Sequence, residues 1–237
     1  MKVTVFCEMS GGMEAEAVKK AYPEGMDRCL QGIFGPGTRL ISQHEGEDGS
    51  ALTEEILNDT EVLVWWGHVL HHAVSDEVVE RAADRVRRGM GLIVLHSGHM
   101  SKIFTRLLGT TCTLKWREDG EKERLWTVAP GHPICAGLPE QFVIPHEEMY
   151  GEYFDIPTPD ELIFLGWFPG GELFRAGCVF KRGHGKIFYF NAGHESFPNY
   201  RQEEVRKVLT NAAGYVCPAQ PLAPPFGCPS PAALEKL

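Results

Sequence analysis

The stretch EVLVWWGHVLHHAVSDEVVERAADRVRRGMGLIVLHSGH, residues 61–99, decides the fold. Its first six residues, EVLVWW, are a short continuous apolar run, the pattern of a parallel strand buried on both faces. Ser75 then opens a helix through SDEVVERAADRVRRG. Its hydroxyl can cap the first free N–H groups, Asp76 and Glu77 suit the positive helix start, and Gly89 stops it. GLIVLHSG (91–98) is a second buried strand ending in a tight turn, and another helix is expected from about Ser101 to Leu108. This rhythm means right-handed βαβ units and a parallel sheet with helices on both faces.

Working outward, KVTVFC (2–7) and TRLISQ (38–43) read as strands, and TEEILN (53–58) as a short helix that Thr53 can cap. Residues 14–31 have helical spacing interrupted by Pro23-Glu24-Gly25, which predicts a broken helix. Beyond residue 110 the character changes. Segments 124–129, 141–145, 161–168, 173–180 and 185–191 look like strands with short connections, so an antiparallel extension of a mostly parallel sheet is expected. A final helix, Gln202 to Tyr215, packs back on the sheet. Residues 1–217 are read as one domain and 218–237 as a proline-rich, extended tail whose Leu222–Phe226 stretch is apolar enough to dock on a neighbouring subunit.

The formal net charge of −9 argues against a nucleic-acid partner, which would need clustered lysine and arginine. No apolar run approaches the roughly 20 residues of a membrane span, and the N-terminus reads as a strand rather than a signal peptide. Seven scattered cysteines without CxxC spacing are most simply reduced core residues, so a cytoplasmic protein is expected.

Ten histidines are an excess for this length, and most fall near strand ends or turns. Open α/β sheets bind ligands at the carboxyl ends of their strands. EVLVWW runs out at His68 with His71 and His72 following, GLIVL at His96 and His99, and KIFYFN at His194-Glu195. The segment VLHSGHMS has the layout of a nucleophile elbow with His96 at its apex, beside N–H groups that favour anionic ligands. An imidazole there can be a general base, an acid or a metal ligand, but is a poor acyl-transfer nucleophile. In PHEEMYGE (145–152), His146 and Glu148 would share a face if the chain is extended, as metal ligands or an acid/base couple. The tryptophans and Tyr150 and Tyr153 could supply a platform for a sugar ring, although most suit a core.

With these residues in hand, the chain resembles the ThuA-like (trehalose-utilization) family within the class I glutamine amidotransferase-like superfamily. The resemblance covers roughly residues 1–217 and rests on the 61–99 stretch together with PHEEMYGEYF and GKIFYFNAGHES. It implies a three-layer, flavodoxin-like architecture. Amidotransferases carry a cysteine in the elbow and a late His-Pro-Glu, where this chain has His96 and His194-Glu195-Ser196. Thioester-mediated glutamine hydrolysis is therefore excluded at this position. The family implies use of trehalose and related disaccharides, with a partner dehydrogenase that makes 3-keto sugars, and a homo-oligomer.

The resulting expectation is acid–base or metal-assisted chemistry on a carbohydrate, without a nucleotide cofactor. Its catalytic residues would be His96, His194 and Glu148, and its substrate-binding residues His68, His72, His99, Tyr150 and Glu195. A divalent metal such as zinc would take His96, His146 and His194. The alternatives are a non-catalytic module that binds a small ligand or metal, and a cysteine hydrolase using Cys7 or Cys112.

Overall fold

Local signals and long-range packing agree in the first half of the chain. In this computed structural model, which describes residues 1–235, Ser75 caps the helix after it by accepting from Val78 N at 3.4 Å, and Thr53 does the same for Ile56 N at 3.2 Å. The elements run β1 (Val3–Glu8), α1 (Glu16–Ala21), α2 (Met26–Ile33), β2 (Arg39–Gln43), α3 (Glu54–Asn58), β3 (Val62–Trp66), α4 (Asp76–Arg87), β4 (Gly91–Leu95) and α5 (Lys102–Leu108). There follow β5 (Lys115–Thr127), β6 (Gln141–Gly151), β7 (Glu161–Trp167), β8 (Leu173–Arg182), β9 (Gly185–Phe190) and α6 (Glu203–Val216). Pro23 and Gly25 separate α1 from α2, since proline and a left-handed glycine cannot continue a helix.

All fifteen elements build around one nine-stranded sheet of order β2-β1-β3-β4-β9-β8-β7-β5-β6. The first five strands in that order are parallel, and the remaining pairings are antiparallel. The sheet is therefore mixed, and the expectation of a mostly parallel one does not hold. β5 and β6 run far beyond the segments expected for them, and the longest pairing in the sheet is theirs. Polar sequences such as KWREDGEKE and PHEEMYG lack the alternation that marks a strand, yet each becomes one by pairing with the other.

Two close approaches fix the layers. A Cβ at Gly91 would lie 2.6 Å from the carbonyl oxygen of Val216 on α6, and one at Gly185 would strike the Val86 carbonyl on α4. These two glycines face opposite sides of adjoining strands, so α6 and α4 cover opposite faces. Cys7, Trp66, Leu95 and Phe190 are successive register partners across β1, β3, β4 and β9, so these strands end along one line.

After α6 the described residues form no further helix or strand. The tail lies on its own chain: Ala223 exchanges two hydrogen bonds with Arg88, and Phe226 stacks on His184. No helix among the described residues is long and apolar enough to cross a membrane.

Candidate functional site

Along the carboxyl edge, His96 follows β4 with φ of +48°, a left-handed backbone that costs a non-glycine residue about 1–3 kcal/mol. The turn is a 3-10 helix over His96–Met100, and α5 begins only at Lys102, capped by Ser101. The start of α5 is thus removed from His96 and already capped, which corrects the expectation of a helix N-terminus beside the apex. Ser97 locks the turn by donating to the Gly67 carbonyl at 2.7 Å.

The imidazole of His96 is fully buried. Its Nδ1 donates to the Asn191 carbonyl at 2.8 Å, which directs Nε2 at Glu148 Oε2 (3.1 Å) and the Tyr150 hydroxyl (3.3 Å). Tyr150 stacks on the ring with centroids 5.0 Å apart, and His194 meets it edge-on at 5.5 Å. Burial alone would drive the proton off. The hydrogen bond to Glu148 and the charges of Glu147 and Glu148 outweigh it and raise the His96 pKa to about 9. Burial likewise opposes ionisation of Glu148, but its bond to His96 and the nearby imidazoles hold its carboxyl below the usual range. Burial and the positive charge of His96 depress His194. Its Nδ1 accepts from Ser196 N at 3.2 Å, which leaves the ring proton on Nε2.

Glu148 and Tyr150 come from β6, at the far edge of the sheet. They reach His96 because the β5–β6 pair bends back, with register shifts between Arg117 and Glu123 and between Ile144 and Glu147. Tyr150 also packs edge-on against Phe174 of β8. Beneath it, the buried Glu147 carboxyl accepts from the backbone N–H groups of Glu148, Gly193 and His194 and from Asn199 Nδ2, at 2.7–3.2 Å. Glu123, also fully buried, accepts from Asn191 Nδ2 at 2.9 Å; burial and the charge of Glu147 push its pKa up to about 8.

The cluster opens into a cleft of about 610 Å³ lined by His68, His71, His99, Trp116, Glu118 and Glu195 among others. That volume is within the roughly 300–1,000 Å³ of small-molecule sites. Trp116 at its mouth is 64% exposed, whereas Trp65 and Trp66 are core. His99 donates from Nδ1 to the Cys112 carbonyl at 2.6 Å, and burial lowers its pKa to about 4. His71 is lowered to about 4 for the same reason.

The structure thus gathers His96, His194, Glu148, Tyr150, His68, His99 and Glu195 around one cleft. Two expected residues lie elsewhere. His72 is exposed and off the cleft, and its neighbour His71 takes the wall position. His146 is exposed, bonded to the Gly120 carbonyl and stacked on Phe197, and it falls in the irregular stretch between Ile144 and Glu147 rather than in the cleft. Among the described residues, His96, Glu148 and His194 are the groups whose donor atoms lie within 4.8 Å of one another, so Glu148 stands where His146 was expected. Cys7 Sγ contacts the Glu8 carbonyl and Met9, and Cys112 Sγ contacts Thr110, so neither thiol has an imidazole partner among the described residues, and burial pushes both thiols up. The sequence reading missed Glu8, Glu123 and Glu147. An acid at the end of the first strand was the one available signal, for Glu8.

This fold and edge define a class, α/β proteins of glutamine amidotransferase-like architecture with a histidine at the elbow. The ThuA family model, described as trehalose utilisation, matches residues 2–216, and the chain belongs to that family. A ThuA-like protein from Parabacteroides merdae ATCC 43184 is 14% identical over 93% of this chain and 92% of that one, with a TM-score of 0.64. Another, from Bacteroides uniformis ATCC 8492, is 17% identical over 91% of each chain at 0.65. A glutamine amidotransferase from Thermotoga maritima shares the fold at 11% identity, over 91% of this chain and 97% of that one, at 0.50. No curated protein matches the chain in sequence.

Proposed function

We propose that the chain is an enzyme of disaccharide metabolism that acts on a keto sugar by acid–base chemistry at the His96–Glu148 pair. The supporting observation is the buried imidazole–carboxyl pair that opens into a cleft with an exposed indole at its mouth. A ketone makes the neighbouring C–H acidic. Glu148, held ionised by His96, takes that proton. The C–H electron pair becomes a C=C bond, and the carbonyl π pair moves to oxygen, which receives a proton from His96 Nε2. The resulting enediol either takes the proton back from Glu148 at the adjacent carbon, which isomerises the sugar, or returns its hydroxyl proton to His96 and re-forms the C=O. In the second course the C=C pair shifts towards the anomeric carbon, the glycosidic C–O bond breaks, and the leaving oxygen takes the proton held by Glu148. Tyr150, against the same nitrogen, holds the oxygen in line, and His194 donates from Nε2 to a substrate hydroxyl. The seven free cysteines suit a reducing cytoplasm.

The test is turnover of 3-keto-trehalose followed by NMR in D₂O. Exchange at the carbon beside the ketone is expected in the native protein. Glu148→Gln and His96→Ala should each reduce it by about 10²–10⁴-fold. Unchanged exchange in both variants refutes the mechanism.

A second reading has one observation in its favour: the Nδ1–H of His96 on a backbone carbonyl is also the support that a metal-bound imidazole receives. With Glu148 and His194 it would form a three-ligand zinc site that polarises the ketone. The Ser196 bond to His194 Nδ1 favours the metal-free reading, since it leaves a proton on the nitrogen a metal would need. Stoichiometric zinc in tag-free protein, with turnover abolished by chelation, would favour the metal.

A further inference from the structure

Glu195 is buried in the cleft wall, 6% exposed, and its carboxyl has no hydrogen bond among the described residues. Oε1 lies 3.7 Å from His68 Nε2, and Oε2 lies 3.7 Å from His194 Nδ1, which already accepts from Ser196. Each gap is too long for a hydrogen bond. A buried carboxyl without donors is costly, and the two adjacent oxygens are spaced to accept from a pair of neighbouring hydroxyls. Glu195 stands beside the His96–Glu148 pair rather than within it, so the hydroxyls it takes are not those of the reacting carbon.

The charge of the cleft narrows the ligand further. Glu118, Glu148 and Glu195 line it, and no lysine or arginine does so among the described residues. At the foot of the same wall, the backbone N–H groups of His68, Val69 and Leu70 converge as a phosphate-binding loop does. That arc is already filled: Glu8 accepts all three at 2.8–3.0 Å and the Ser10 hydroxyl at 2.6 Å. The chain has placed its own anion where a phosphate would sit.

We propose that Glu195 grips a vicinal diol of the bound sugar away from the reacting carbon, and that this cleft selects an unphosphorylated sugar. The proposal rests on the carbohydrate reading above and names the carboxyl that orients the sugar. Calorimetric titration with trehalose, glucose and trehalose 6-phosphate tests both. The native protein should bind trehalose, bind glucose more weakly, and bind the phosphorylated sugar more weakly than trehalose. Glu195→Gln should weaken trehalose by about tenfold or more. Because the carboxyl has no hydrogen bond to lose among the described residues, the same variant should melt no lower than the native protein. Glu195→Asp, which keeps the charge but withdraws it by one methylene, should weaken trehalose as well and serves if the glutamine variant misfolds. Undiminished trehalose affinity in either folded variant overturns the assignment but leaves the carbohydrate reading standing, as does phosphorylated sugar binding as tightly as trehalose. If the native protein binds none of the three but still exchanges 3-keto-trehalose, the diol site alone fails; if it neither binds them nor exchanges 3-keto-trehalose, the carbohydrate reading fails and the diol site with it.

Discussion

Replacing Glu148 with glutamine keeps the side-chain shape and removes the carboxylate that holds the proton on His96. The rise of the His96 pKa from 6.5 to about 9 corresponds to about 3 kcal/mol of stability for the protonated folded state. The sign follows from linkage. The folded-state pKa is raised, so the stabilisation is fully present below pH 6.5, where both states are protonated. It declines by about 1.4 kcal/mol per pH unit as pH rises towards the folded value, and it is gone above about 9. Glu147 remains 3.8 Å from Nδ1 in the variant, so part of the shift survives, and we expect Glu148→Gln to remove about 2 kcal/mol of it. Glu148 itself titrates below its usual range and does not interfere at neutral or alkaline pH. Urea unfolding of both proteins from about pH 6 to about pH 9.5 reads the effect directly. The native protein should lose its advantage over the variant steadily across that window. A gap of constant size, or an NMR titration placing native His96 near 6.5, refutes the reasoning.

Glu147→Ala strips the acceptor from three backbone N–H groups and Asn199, and should cost about 3–5 kcal/mol in urea unfolding; a loss below about 1 kcal/mol would show those donors re-satisfied. Gly193 has φ of +132° and is packed against the Tyr200 hydroxyl, so Gly193→Ala should displace the His194–Glu195 segment and abolish trehalose binding in calorimetry. Trp116→Ala, at an exposed rim position, should leave unfolding free energy within about 0.5 kcal/mol of native while trehalose affinity falls severalfold. Equal affinity would remove the indole from the site.

How much was legible in the sequence depended on where each element gets its information. β3, α4 and β4 are encoded locally, by apolar runs and a capped amphipathic helix, and their positions follow from residues 61–99 alone. The histidines at strand ends were legible for the same reason, because parallel register lines up strand ends. β5 and β6 were read short because their polar halves are strands only through each other. The choice of His146 rested on alternation alone, which does not foresee the irregular register between Ile144 and Glu147 or the contacts His146 makes with Gly120 and Phe197. His71 and His72 are immediate neighbours, and nothing in HHAV says which ring turns inward. Glu147 and Glu123 were invisible because a buried acid looks like a surface acid until its donors, which come from residues 191–199, are known.

The bent β5–β6 pair has a consequence for how this molecule could change. The carboxyl edge of the parallel strands brings the elbow imidazole, while β6 carries in Glu148 and Tyr150 from the opposite end of the sheet. The scaffold and the reagents are thus held by different parts of the chain. Lengthening or resequencing the arm would swap an acid for another group above an unchanged His96 and leave the β1–β3–β4–β9 core intact. Divergence of chemistry in such a protein is expected to be written in residues 115–121 and 145–151, the stretches that looked least like structure.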